Sequence, residues 1–280
     1  MAVLLALGSA VVYGTSDFLG GLASRKASVF GVVAFSQLAG LLALLTLLPL
    51  LGGPVGLGDL AWGAAGGIVG ATGLVIFFRT LARGVMSVIA PVTAVTAAAV
   101  PVLVGLAEGN RIGVLAGAGI VLALVAVVLV SAEGGLSALR AARPASIPPA
   151  LAAGVGFGAF FVFLDRTGDG AGLTPLVAAR LTSVVLVVAI ALVGRRPLDV
   201  PRASIPLVAA SGVGDMSANA LFLLATQLHS QLAIVGVLAS LYPVSTVILA
   251  QFVLRERLVA AQLVGLAAAV GAVVLITLPA

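Results

Sequence analysis

Ten runs of mostly apolar residues, each near the length of a bilayer-spanning helix, follow one another along this chain with only short breaks between them. A spanning helix needs about 20 such residues. The runs are 2–24, 29–51, 59–81, 85–107 and 111–131, then 148–165, 173–194, 204–227, 231–253 and 259–279. Barrel strands would instead alternate apolar and polar residues over about ten positions. A domain folded in water carries about 25% charged residues; here 8% are charged and 62% hydrophobic. Most of the outer surface must therefore meet lipid, where the backbone is satisfied only inside helices or closed barrels. The expected fold is an all-α integral membrane protein with ten transmembrane helices.

The remaining charges carry direction. Arg25, Lys26, Arg79, Arg83, Arg140, Arg143, Arg195, Arg196, Arg202, Arg255 and Arg257 follow odd-numbered runs, whereas only Arg111 and Arg166 lie on the opposite side. The positive-inside rule places the richer side in the cytoplasm, which puts both termini outside. The basic residues stand singly or in pairs, so the net charge of +5 reads as loop anchoring and not as a nucleic-acid surface. The expected location is the cell's inner (plasma) membrane, crossed many times. The first run lacks a basic leader and reads as a retained span. With no cysteine and one histidine, His229, there is no thiol chemistry and no usual zinc ligand set; no cofactor is expected.

The two halves of the chain echo each other. Residues 6–14 (ALGSAVVYG) align with 150–158 (ALAAGVGFG), matching Tyr13-Gly14 to Phe157-Gly158. Glu108 and Glu256 follow the fourth run of each half. Five runs per copy is an odd number, so the second copy enters the bilayer inverted, as in many transporters. This organises the chain as repeat 1–131, linker 132–147 and repeat 148–280.

These elements, in this order, resemble the drug/metabolite transporter superfamily, specifically its EamA-type ten-helix members. The resemblance is carried by Tyr13-Gly14 and its echo, the stretch FFRTLARGVMSVIAPVTA, the run Leu241-Tyr242-Pro243-Val244 with Glu256 beyond it, and the ending GLAAAVGAVVL. It implies two inverted EamA repeats around a central cavity, and transport of small metabolites or drugs with export as the common direction. It also implies both termini in the cytoplasm, the reverse of the charge count.

Ionisable groups at the centre of a spanning helix cost about 2.5–3.5 kcal/mol each on insertion scales and seldom face lipid. Asp17, Arg180, Asp215 and Arg79 fall inside runs. At about 1.5 Å per residue, Arg180 and Asp215 lie about 10 and 18 Å from the same face, a gap that a long Arg side chain mostly closes. Two readings stand side by side: Asp215 and Arg180 line a cavity and bind a substrate or a proton, or they form a structural ion pair between helices. Asp17 is a second carboxylate candidate for proton coupling beside Asp215. Arg79, near a helix end, suits a snorkelling anchor. Tyr13, Ser16 and Asp17 share a helix face. Asn219 and Tyr242 are large polar groups that need partners, Ser217, Ser240 and Ser245 are smaller ones nearby, and Ser36 with Gln37 supply polarity in the second run. Phe157, Phe160 and Phe161 share one face and form a candidate apolar wall; Phe157 and Phe161 join the expected substrate-binding set. Glycines 63, 66, 67, 70 and 73 mark close helix contacts, and Pro91, Pro101 and Pro243 mark kinks.

No nucleotide-binding GxxxxGK[ST] pattern occurs. The leading expectation is therefore a secondary transporter working by alternating access without ATP, driven by protons or exchange, not an enzyme. Its partners would be a small substrate (an amino acid, an amine or a similar metabolite) and the lipid bilayer, in a monomer or weak homodimer without nucleic acid. The alternatives are a non-transporting scaffold or accessory subunit and a membrane-embedded enzyme acting on a lipid-linked substrate.

Overall fold

A computed structural model describes residues 1–81, 86–109, 112–131, 147–228, 231–254 and 258–278. Outside the described residues fall His229, Glu256, Arg83, Arg111, Arg140, Arg143, Arg255, Arg257 and all of the expected linker except Ile147. The described residues are mostly helical: α1 (Ala2–Ser24), α2 (Val29–Leu51), α3 (Leu57–Leu81), α4 (Met86–Ala107), α5 (Val114–Val130), α6 (Ile147–Asp165), α7 (Thr174–Val193), α8 (Ile205–Thr226), α9 (Leu232–Ala239), α10 (Tyr242–Leu254) and α11 (Ala260–Thr277). Among the described residues eight segments are long and apolar enough to cross a membrane, with α9 and α10 counted together. Two shorter apolar stretches are Val92–Ala107 and Val114–Val130.

The ninth run departs from the sequence expectation. Residues 231–253 form two helices, not one kinked helix, with the break at Ser240 and Leu241. Pro243 has no amide hydrogen and cannot continue the ladder. The chain tightens instead through three-residue bonds, Leu241 N–H to Leu238 O and Val244 N–H to Leu241 O. The Ser240 hydroxyl donates back to Gly236 O at 2.6 Å. Helix α4, by contrast, runs unbroken past Pro91 and Pro101, and α2 past Pro49. The Pro101 ring packs where a β-carbon on Gly236 would come within 2.6 Å of it.

Packing pairs helices across the two halves of the chain. Helix α1 lies on α8, α3 on α6, α2 on α7 and α5 on α11. Helix α3 also packs on α7, α2 on α8, α4 on α6 and α9, and α1 on α9 and α10. Small residues set these distances. A β-carbon on Gly67 would lie 2.2 Å from Ala179 O, and one on Gly212 2.0 Å from Ser36 O. The α1–α8 seam is sealed by reciprocal bonds: Ser16 Oγ donates to Ser211 O, and Ser211 Oγ donates to Ser16 O.

Both ends of α7 are tied to neighbours. On one side Leu173 N–H bonds Leu51 O and Gly53 N–H bonds Ala171 O, through Gly172 at φ +56°. There a β-carbon would sit 2.3 Å from Leu51 O. On the other side Ser28 N–H bonds Asp199 O, and the Ser28 hydroxyl donates to Pro197 O.

Candidate functional site

The helices surround a cavity of about 90 Å³. Helix α1 contributes Tyr13 and Asp17, α2 Gln37, α3 Gly67, Gly70, Ala71 and Leu74, and α4 Ala97. Helix α6 adds Phe157, Phe160 and Phe161, α7 Ala179, Arg180 and Ser183, α8 Asp215 and Asn219, and α10 Tyr242. The structure thus brings together all eight residues singled out in the sequence for substrate contact: Tyr13, Asp17, Phe157, Phe161, Arg180, Asp215, Asn219 and Tyr242.

Arg180 is the hub. Its Nη2 donates to the Asp215 carboxylate and its Nη1 to Gln37 Oε1, while Nε meets Met216 Sδ at 3.2 Å. The pair therefore lines the cavity and also ties α7 to α8. The geometry is lopsided: the Arg180 side chain is 7% exposed and that of Asp215 29%. Asn219 Nδ2 donates to Asp215 O at 2.6 Å and to its Oδ2 at 3.3 Å, and Tyr13 Oη donates to Asn219 Oδ1 at 2.7 Å. At the far end Ser183 Oγ donates to Gln37 Oε1 at 3.2 Å. One continuous polar chain runs from Tyr13 to Ser183.

The aromatic wall is braced from behind. Phe161 stacks on Phe222 with ring centres 4.3 Å apart and meets Tyr13 edge-on at 6.0 Å. Phe157 is held edge-on by Phe77 at 5.8 Å.

Several sequence candidates lie elsewhere. Ser16 is spent in the α1–α8 seam, and Ser217 turns outward to bond Val213 O. Ser240 and Ser36 bond their own helices, and Ser245 donates to Ala10 O and Tyr242 O. Arg79 lies over the Phe30 ring, 5.2 Å from its centre, which fits the anchoring role. Glu108, read as a repeat marker, forms an exposed ion pair with Arg166. Ser183 escaped notice in the sequence, although it stands three residues after Arg180 and therefore shares its helix face. Gln37 stands out in the sequence only as a polar residue; its pairing with Arg180 and Ser183 of α7 carries no sequence signal.

The fold and the cavity define a polytopic helical membrane protein with a charged interior site. Residues 146–278 match the EamA-like transporter family, and this half of the chain belongs to it. No curated protein matches the chain. A solved protein crystal structure superposes with a TM-score of 0.78 over 99% of this chain and 96% of its own length, at 20% identity. That likeness is one of fold.

Proposed function

We propose that this protein is a secondary transporter that moves small metabolites or drugs, in the export direction, through the cavity between its halves. The observation that carries the proposal is the Arg180–Asp215 pair with Asp17 inside a cavity braced by aromatic rings. Charged groups are costly to insert and a structural scaffold has no use for a hollow lined with them. Membership of the second half in a transporter family points the same way. The binding set on this reading is Tyr13, Asp17, Phe157, Phe161, Arg180, Asp215, Asn219 and Tyr242, with Asp17 or Asp215 carrying a coupling proton.

The architecture proposed with it is ten crossings in two inverted five-helix repeats in the inner (plasma) membrane. Its support is the packing pattern: renaming each span by its counterpart in the other half turns α1-on-α8 into α6-on-α3, and α3-on-α7 into α8-on-α2. The aromatic-glycine echo obeys the same exchange. A β-carbon on Gly14 would strike Tyr242 O at 2.2 Å, and one on Gly158 would strike Ala97 O at 2.8 Å. Helices of the two halves, interleaved and packed along glycine seams, suit alternating access by rocking of helix bundles drawn from both halves.

The test is a flux screen in proteoliposomes across amino acids, nucleosides, sugars and organic cations, with and without a pH gradient. Protein-dependent flux of one class supports the reading. Absence of flux and of counterflow for every class overturns it.

A further inference from the structure

The polar groups of the cavity fall into two sets. In the first every group is engaged. All three guanidinium nitrogens of Arg180 are occupied by Asp215, Gln37 and Met216. Asp215 is met by Arg180 and Asn219, and Asn219 by Tyr13. Arg180 is thus enclosed by partners from its own protein, and an incoming carboxylate would have to displace Asp215 to reach it. In the second set are Asp17 and the Tyr242 hydroxyl, which make no hydrogen bond or ion pair among the described residues. Gly14 of α1 rests against the first turn of α10 at Tyr242. Asp17 lies three residues further on, one turn along the same helix face. The two open groups therefore belong to one end of the cavity.

The charge count agrees. Among the described residues two carboxylates and one guanidinium line the cavity, and Arg180 with Asp215 cancel. Asp17 is left without a counter-charge in a low-dielectric interior, where a carboxylate holds a negative charge only beside a cation and otherwise takes up a proton. A ligand bringing one positive charge completes the set, whereas an anion leaves two negative charges facing each other. The rest of the lining is apolar and aromatic, and ring faces attract cations. A volume of about 90 Å³ falls below the roughly 300–1,000 Å³ of a drug-sized pocket.

We infer that Asp17 and Tyr242 form the recognition end of the cavity, and that its ligand is a small organic ammonium ion with an apolar, aromatic body. The ammonium hydrogens go to the Asp17 carboxylate and the Tyr242 oxygen, and the body lies on Phe157, Phe160 and Phe161. Within the binding set Arg180 acts through Asp215 and Gln37, which it holds in position, and not by direct contact with the ligand. This inference rests on the reading of the cavity as the transport site.

Equilibrium binding to the purified full chain in detergent tests it without any flux. The probes are 2-phenylethylamine, the neutral 2-phenylethanol, the anionic 3-phenylpropionate and zwitterionic phenylalanine. The amine should bind the native protein at least about tenfold more tightly than the alcohol or the anion, a gap of about 1.4 kcal/mol. Asp17→Asn should bring it down to the alcohol's level, Asp17→Glu should keep the preference, and Tyr242→Phe should weaken the amine and leave the alcohol unchanged. The inference is overturned if the amine binds no better than the alcohol, or if phenylalanine or phenylpropionate binds tightest. The ligand series on native protein decides the matter even if Asp17→Asn fails to fold. Amine binding without amine flux in liposomes sinks the transport reading and keeps the site; flux of another solute with no charge preference in binding does the reverse.

Discussion

Arg180 of α7 donates to Asp215 of α8 from a side chain that is almost fully enclosed, while the carboxylate that receives it faces the open cavity. The two partners thus depend on each other unequally. Asp215 has access to space that admits water; among the described residues Arg180 is met by Asp215, Gln37 and the Met216 sulfur.

This asymmetry sets the order of two mutational effects. Asp215→Asn strands an enclosed guanidinium, and breaking a buried pair from one side costs about 3–5 kcal/mol. Arg180→Met leaves a carboxylate that can hydrate from the cavity, so its cost falls below that range. The double variant should lose less than the sum of the singles, because no stranded charge remains. Thermal unfolding of the four proteins in detergent checks this. Equal and additive losses would mean the pair is no stronger than an exposed one.

Gly14 and Gly21 sit in the same helix and should respond oppositely to alanine. A β-carbon at Gly14 would meet Ser245 Oγ at 2.0 Å and Tyr242 O at 2.2 Å, and the second obstacle is backbone. The helices must part, at a cost of about 1–3 kcal/mol or more. At Gly21 nothing lies within 4 Å, so alanine should be neutral or stabilise by up to about 1 kcal/mol through helix propensity. Melting temperatures of the two variants, one falling and one not, report the seam directly.

Much of this was legible in the sequence, for reasons tied to lipid. Spans announce themselves because every spanning backbone must be helical over about 20 apolar residues. Asp17, Arg180 and Asp215 stood out because ions there are rare, and the structure places each on the cavity. The break at Ser240–Leu241 was not readable from Pro243 alone, since Pro49 and Pro101 interrupt nothing; a proline breaks a helix or not according to what packs beside it. Gln37 and Ser183 were equally opaque, because their importance comes from a contact 146 residues apart in sequence. Ser16 misled for the opposite reason: it shares the Asp17 side of α1 by periodicity, but the close approach of α8 claims it.

If Asp17 carries the coupling proton, the pH profile of flux should follow that residue. Among the described residues the other titratable groups on the cavity are Asp215, Arg180, Tyr13 and Tyr242, and Asp215 is held as the partner of Arg180. Asp17→Glu keeps a carboxylate of slightly higher ordinary pKa, about 4.3 against 3.9. Counterflow measured over a pH series should then show its midpoint displaced upward with flux retained, and Asp17→Asn should show no such titration. A midpoint unmoved in Asp17→Glu would assign the titration to another group. Flux that keeps its pH dependence in both Asp17→Asn and Asp215→Asn would remove carboxylate coupling altogether.

Orientation in the bilayer has two opposed expectations, and one reporter separates them. Eleven basic residues follow odd-numbered spans and two follow even-numbered ones; basic residues in short loops close to span ends are the ones that govern insertion. Arg79 belongs to the richer face and is fixed there over Phe30. The charge count therefore predicts a C-terminus outside the cytoplasm, where a fused reporter that matures only in an oxidising compartment is active and a fused cytoplasmic fluorophore is dark. The EamA resemblance predicts the converse. Replacing Arg25, Lys26, Arg195 and Arg196 by glutamine discriminates further, because under the charge count it weakens the bias and yields a mixed population with both reporters partly active. A fluorophore that stays fully bright in both the native and the substituted protein would show that something other than these loop charges sets the topology.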